Sequence, residues 1–169
     1  IKNVKTFYPG YSVRDRTRSF FKVQDGCNYF CSFCTIPLAR GKSRSGTISQ
    51  TIDKAKEIGN SEVKEVVLTG INLGDFGHGT KENFYQLINE LEELNSISRF
   101  RISSIEPDLL SEEIIEFVNS SEKFVPHFHI PLQSGSNFLL KKMRRKYNTD
   151  LYCSRIELIK KLMPHACIG

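Results

Sequence analysis

Cys27, Cys31 and Cys34 are the residues of this sequence whose type and spacing most directly specify chemistry. They stand in the run Asp25-Gly26-Cys27-Asn28-Tyr29-Phe30-Cys31-Ser32-Phe33-Cys34, with three residues and then two between them. A short loop with that spacing can turn three sulfurs to one side. Thiolates are the soft ligands that zinc and iron–sulfur clusters prefer. A structural zinc site closes a tetrahedron with four protein ligands, and this motif supplies three. Three ligands suit a four-iron cluster with one iron left open, where a substrate or cofactor can bind directly. The competing reading is a zinc-stabilised nucleic-acid-binding module, which needs a fourth ligand that the sequence does not offer at metal-site spacing. Cys153, in a helical pattern, and Cys167, in a strand pattern, complete the five cysteines. Both are expected in the core, because free cysteines are among the most buried residue types.

The loop needs a scaffold, and the hydrophobic pattern describes one. A strand over 20–23 runs into the cysteines. Thr47 with Gln50 forms a capping box that opens a helix carrying Ile48, Ile52 and Ala55 on one face. A buried strand follows over 66–68, then helical spacing at Phe84, Leu87, Ile88 and Leu91. Phe100 and Ile102 alternate with polar residues in a third strand. Ser111 caps the next helix, a strand spans 127–132, Ser136 and Thr149 each open a helical stretch, and a last strand begins at 166. Strands alternating with helices through short connections imply parallel pairing by right-handed crossovers. About four units and the start of a fifth strand are too few for a closed eight-fold barrel. The expected fold is therefore α/β, a truncated, open, partial parallel (β/α) barrel. Residues 20–169 form its core, and the basic stretch 1–19 is a linker from a missing upstream domain. The sequence starts at Ile1 and stops inside an apolar strand, so a longer parent protein is expected.

In such folds the sites gather at the carboxyl ends of the strands. That places Gly70 and Asn72, Ser104 and Glu106, and Gln133 with Ser134 around the cysteine loop. Gly70 and Asn72 could face a cofactor or form a plain turn; Glu106 could bind a ligand or pair with an arginine. Tyr29 and Phe33 could shield the loop from water or pack against the barrel. His127 and His129 share one face of a strand, and core packing is the expectation for both. The formal net charge of +5 tilts the surface towards polyanions, with Arg40, Arg44, Arg144 and Arg145 as candidates for phosphate contacts. No apolar run approaches the roughly 18 residues of a membrane span, and no signal sequence opens the chain. Clustered cysteines without a signal point to a reducing, cytoplasmic setting.

Cys-x-x-x-Cys-x-x-Cys after a first strand resembles the signature of the radical S-adenosylmethionine (SAM) superfamily. Further stretches resemble its methylthiotransferases: Pro37-Leu38-Ala39-Arg40-Gly41-Lys42-Ser43-Arg44-Ser45, Val67-Leu68-Thr69-Gly70-Ile71-Asn72-Leu73-Gly74-Asp75-Phe76-Gly77, and Ile130-Pro131-Leu132-Gln133-Ser134-Gly135-Ser136 with Met143-Arg144-Arg145. Arg101-Ile102-Ser103-Ser104-Ile105-Glu106-Pro107 is similar to the branch that modifies threonylcarbamoyladenosine beside the tRNA anticodon. The resemblance implies a 4Fe–4S cluster on Cys27, Cys31 and Cys34, and SAM held near Gly70, Asn72, Ser104, Glu106 and Gln133. It also implies tRNA as partner, an electron donor, a second cluster in an upstream domain and a separate RNA-binding domain. A ribosomal-protein or isopentenyladenosine methylthiotransferase, or another radical SAM enzyme, is the nearest alternative.

Overall fold

The computed structural model describes residues 6–12, 17–61 and 63–169. Its sheet is built from strands whose two faces differ. In β2 (Arg18–Lys22) Ser19 and Phe21 are fully buried while Arg18 and Phe20 are exposed, the period of two that pleating imposes. β1 (Gly10–Tyr11) adds to β2 antiparallel. β3 (Gln24–Asp25) and β4 (Arg44–Ser45) form a separate antiparallel ribbon. β5 (Glu65–Thr69) and β6 (Arg99–Ile102) extend the main sheet in parallel, placing Phe21 beside Leu68 and Leu68 beside Ile102. Parallel bridges at Phe100–Phe124 and Ser104–His129 carry the order on to β7 (His127–Phe128), which pairs in parallel with β8 (Cys167–Ile168). Among the described residues the sheet stays open, with β1 and β8 on its two edges. The expected open, partial parallel barrel is the observed fold.

Helices cover one face. Besides the short α1 (Ile36–Arg40), these are α2 (Ile48–Gly59), α3 (Phe84–Glu92), α4 (Glu112–Ser120), α5 (Asn137–Lys142) and α6 (Thr149–Leu162). The capping box at Thr47 and Gln50 forms as expected, and Asn83 with Gln86 makes a second one on α3. Ser111 and Ser136 cap α4 and α5. α6 opens at Thr149 as expected, with Asn148 as its cap. The core lies between sheet and helices. Phe21, Leu68, Phe100, Ile102 and Phe128 meet Ala55, Ile58, Leu87, Leu91, Ile115 and Ile159 there.

Four expectations are corrected. The strand expected over 127–132 is regular only at His127–Phe128; single pairings continue to Ile130, whose N–H bonds the Gly169 carbonyl at 2.8 Å, and Pro131, with no N–H, can carry the ladder no further. The carbonyls of Ile130, Pro131 and Leu132 instead accept from the Tyr152 and Tyr147 hydroxyls. Cys153 is exposed: α6 turns Tyr152, Ile156 and Ile159 inward, and one residue of helix rotates the next side chain by roughly 100° away from that stripe. Cys167 is exposed as well, since Ala166 takes the buried position and alternation turns its neighbour outward. The histidines do not join the core. Phe128 and Ile130 are buried on that side, leaving His127 half-buried and His129 exposed on the inner face of the sheet. Burial and the nearby Arg101 guanidinium hold the His127 imidazole below its usual pKa.

Candidate metal and cofactor site

The cysteine loop leaves β2 and is closed by the β3–β4 ribbon, with α1 riding on it. Gln24 ties it to the sheet. This fully buried side chain donates to the carbonyls of Asp25 and Gly26 at 3.1 and 2.8 Å, and to Ser43 Oγ at 2.9 Å. Its Oε1 accepts from the backbone N–H groups of Ile71 and Asn72, both at 2.9 Å. One amide thus holds the first and second strand-end loops in register. Asp25 fixes the base of the loop: its carboxylate meets Arg44 at 2.9 Å, Arg40 at 3.3 Å and Lys22 at 3.7 Å, and accepts from the Gly26 N–H at 2.9 Å. Gly26 itself has φ +71°, and a Cβ there would lie 2.1 Å from the Lys42 carbonyl oxygen. Only glycine lets the chain turn into the cysteines so close to its own return strand.

Within the loop Cys31 is buried and Cys27 and Cys34 are half-buried. The Tyr29 N–H donates to Cys27 Sγ at 3.3 Å, and Arg145 Nη1 donates to Cys31 Sγ at 3.2 Å. Burial pushes the Cys27 thiol above its usual pKa, against the pull of the Tyr29 N–H. Tyr29 is buried, its hydroxyl donating to Asp108, and Lys146 Nζ lies 3.9 Å from the centre of its ring. Phe33 stays largely exposed.

The other strand ends surround this loop. Gly70 is required by Gln24, whose Oε1 and Cβ would lie 2.9 and 3.1 Å from a Cβ at that position. Asn72 is 2% exposed, yet neither its Oδ1 nor its Nδ2 has a hydrogen-bond partner. Asp75 Oδ2 and Asp108 Oδ1 are buried and unpaired in the same way. Ser104 sits at the bridge to His129. Glu106 forms an ion pair with Arg145 Nη2. Burial raises Glu106 to a pKa of about 7, Arg145 pulling it down and Asp108 pushing it up. Gln133 stands apart: it is exposed, with backbone φ +61°.

Residues 21–169 match the family described as the Radical SAM superfamily. The chain belongs to that superfamily. It is 46% identical over 152 residues to threonylcarbamoyladenosine tRNA methylthiotransferase MtaB of Bacillus subtilis, covering 89% of this chain and 34% of that protein. The same enzyme of Aquifex aeolicus is 41% identical, with 90% and 37% covered. The tRNA-2-methylthio-N(6)-dimethylallyladenosine synthase of Pelotomaculum thermopropionicum is 33% identical, with 99% and 40% covered. The chain therefore spans between a third and two-fifths of the length of these relatives. Among solved structures, the radical SAM methyltransferase TsrM of Kitasatospora setae superposes with a TM-score of 0.69 at 14% identity, over 86% of this chain and 28% of that one. The cobalamin-dependent radical enzyme OxsB gives 0.68 at 17%, over 86% and 22%. These two likenesses concern the fold.

Radical SAM proteins use a 4Fe–4S cluster and SAM, and the donor set fits both. Three thiols share one loop, and two of their sulfurs already accept N–H donors. Among the described residues no three His, Cys, Asp or Glu side chains gather tightly enough to share a single metal ion. A cube of four irons makes no such demand, because each thiolate takes a separate corner. The unpaired atoms of Asn72, Asp75 and Asp108 supply hydrogen-bonding capacity that the protein leaves unused.

Of the residues singled out in the sequence, the structure joins Glu106 to Cys31 through Arg145, and Gly70 and Asn72 to the loop through Gln24. Arg44 and Arg145 are not free for phosphate: their side chains are 13% and 4% exposed and engaged by Asp25 and Glu106. Arg40 and Arg144 remain on the surface. Gln24, Asp108 and Tyr147 lie outside the stretches singled out in the sequence, while Asp25 and Asp75 stand inside such stretches without a role of their own there. Gln24 and Asp25 directly precede the cysteines in a predicted strand-to-loop junction, which is the one signal that could have pointed to them.

Proposed function

We propose that this chain is the radical-generating core of a tRNA methylthiotransferase that inserts a methylthio group into threonylcarbamoyladenosine. The observation that carries the reading is the three-thiol loop, wired by Gln24 and Arg145 to neighbouring strand ends where buried polar atoms stand unpaired. Similarity to the Bacillus subtilis and Aquifex aeolicus enzymes supports the branch.

In this reading Cys27, Cys31 and Cys34 hold the cluster. Asn72 offers its free amide to the polar end of SAM, Gly70 keeps the second loop close to Gln24, Ser104 and Glu106 stand at the adjoining strand end, and Gln133, exposed and apart from them, is the outlying member of the set. Cluster and SAM, when bound, supply a carbon-centred radical that can abstract hydrogen from the adenine to be modified. The chain's own work is positioning. Tyr29 and Cys31 bury one side of the loop against Asp108 and Arg145, excluding water. Residues 20–169 are the core and 1–19 the lead-in, of which β1 and the first two residues of β2 already join the sheet. The parent protein acts in the cytoplasm and takes electrons from a reductant. Among the described residues no helix is long and apolar enough to cross a membrane.

The test has two stages. Reconstituted anaerobically, the chain should cleave SAM to 5′-deoxyadenosine and methionine when given dithionite, and Cys31→Ser should abolish both products. In cells lacking the parent protein, threonylcarbamoyladenosine should lose its methylthio group while isopentenyladenosine keeps it. The reverse nucleoside pattern would reassign the branch, and absence of SAM cleavage would overturn the reading.

A further inference from the structure

We propose that Arg145 is a positioning residue for the cluster, donating to Cys31 Sγ and thereby holding the cluster's reduction potential less negative than its three thiolates alone would set it. The inference rests on the reading that Cys31 is a ligand.

Arg145 lies far from the cysteines in sequence, and several contacts bring it in. The Ser32 N–H donates to the Met143 carbonyl at 3.2 Å, docking the turn after α5 on the cysteine loop. Arg144 in that turn adopts φ +60°, a conformation a non-glycine residue takes only when its surroundings enforce it. The Arg145 N–H then bonds the Leu140 carbonyl at 2.9 Å, aiming the side chain inward. There its guanidinium is clamped. Nη2 is paired with Glu106 at the end of β6, Nη1 lies 3.2 Å from Cys31 Sγ, and the group stands over the Tyr147 ring at 5.1 Å. Tyr147 is itself anchored by its hydroxyl on the carbonyls of Pro131 and Leu132, at 2.6 and 2.8 Å. With its side chain 4% exposed, the guanidinium is unavailable to solvent or to a phosphate.

A reduced cluster carries one more negative charge than an oxidised one. An N–H donor on a ligand sulfur stabilises that charge, and hydrogen bonding to the sulfurs is one of the means by which proteins set cluster potentials. The guanidinium charge, offset in part by the Glu106 carboxylate at Nη2, adds to the effect in a site shielded from water. Glu106 and Tyr147 keep the donor in place without themselves reaching the sulfur. Arg145 thus connects the cluster ligand to the loops that follow β6 and β7.

The test is a potentiometric titration of the reconstituted chain without SAM, followed by electron paramagnetic resonance, with iron and sulfide content measured for each sample. Arg145→Gln removes charge and fork together. At a fixed poise in the titration range its ratio of reduced to oxidised cluster should fall about tenfold, equivalent to roughly 59 mV for a one-electron couple. Arg145→Lys keeps the charge but not the planar fork, and its potential should lie between those of the wild type and Arg145→Gln. In the wild type, an exchangeable proton coupled to the cluster should appear in electron–nuclear double resonance and vanish in Arg145→Gln. Unchanged potentials in fully loaded variants would overturn the proposal. Loss of cluster loading in both variants, with the fold intact by circular dichroism, would make Arg145 a purely structural residue and overturn it equally. A wild-type chain that takes up no 4Fe–4S cluster would instead defeat the underlying reading.

Discussion

At the amino ends of the strands, Glu65 sits between two arginines with both carboxylate oxygens engaged, by Arg101 at 2.9 Å and Arg99 at 3.5 Å. At the carboxyl ends, Glu106 meets Arg145, but Asn72, Asp75, Asp108 and Arg145 all carry buried polar atoms without partners. The two ends are made of similar residues. They differ in the number of unmet atoms: among the described residues the amino ends leave His127 Nδ1 unpaired, against the four side chains just named at the carboxyl ends. An unmet buried polar atom costs on the order of 1–3 kcal/mol, so an end that accumulates several is built to be completed from outside. The pKa directions agree with this contrast. Glu65 is held below its usual value, chiefly by its hydrogen bond from Arg101, whereas burial drives Glu106 upward to about 7 despite its arginine.

The contrast can be broken in four ways, beginning with the largest effect. Replacing Cys27, Cys31 and Cys34 together by serine should abolish iron and sulfide uptake while leaving the circular dichroism spectrum unchanged, because none of the three belongs to the hydrophobic cluster between sheet and helices. Unfolding of that variant would show that the rim carries the fold after all. Gly26→Ala forces a Cβ against the Lys42 carbonyl at a positive φ. It should cost about 2–3 kcal/mol in denaturant melts and reduce cluster loading with it.

Glu65→Gln tests the other end. It should cost about 2 kcal/mol without altering cluster loading. Its pH dependence has a defined sign. A carboxylate held below its usual value of 4.5 contributes stability that is complete above that pH and fades as pH falls through its lower folded value. Melting curves from pH 6 down to about 3 should therefore lose less stability in Glu65→Gln than in the wild type. The smallest effect is the sharpest. Asn72→Leu removes two unmet polar atoms from a buried position, and thermal melting should show no loss or a gain of about 1 kcal/mol. SAM affinity of the reconstituted chain, measured by calorimetry, should fall. A variant that loses stability would mean that Asn72 is a structural residue.

Much of this was readable in the sequence where the information is local. The capping box at Thr47 and Gln50 and the alternation of Phe100 and Ile102 each lie within a few residues, and each appears in the structure as expected. The parallel sheet followed from the order of such segments. The errors came where a choice depends on tertiary phase. Cys153, expected in the core, lies one step off the buried stripe of α6, and period two says that His127 and His129 share a face but not which face. The wiring of the site was illegible for a further reason. Gln24 reaches Asn72 across 48 residues and Arg145 reaches Cys31 across 114, and single side chains with distant partners leave no periodic trace.

In the proposed function one loop presents three thiolates to a 4Fe–4S cluster and leaves its fourth iron open. The most direct measurement is the electron paramagnetic resonance spectrum of the anaerobically reconstituted, reduced chain, recorded with and without SAM. The account predicts the signal of a reduced 4Fe–4S cluster whose line shape changes when SAM is added, and the loss of that signal in the triple serine variant. A cluster signal indifferent to SAM, or a chain that takes up zinc in place of iron, would contradict it.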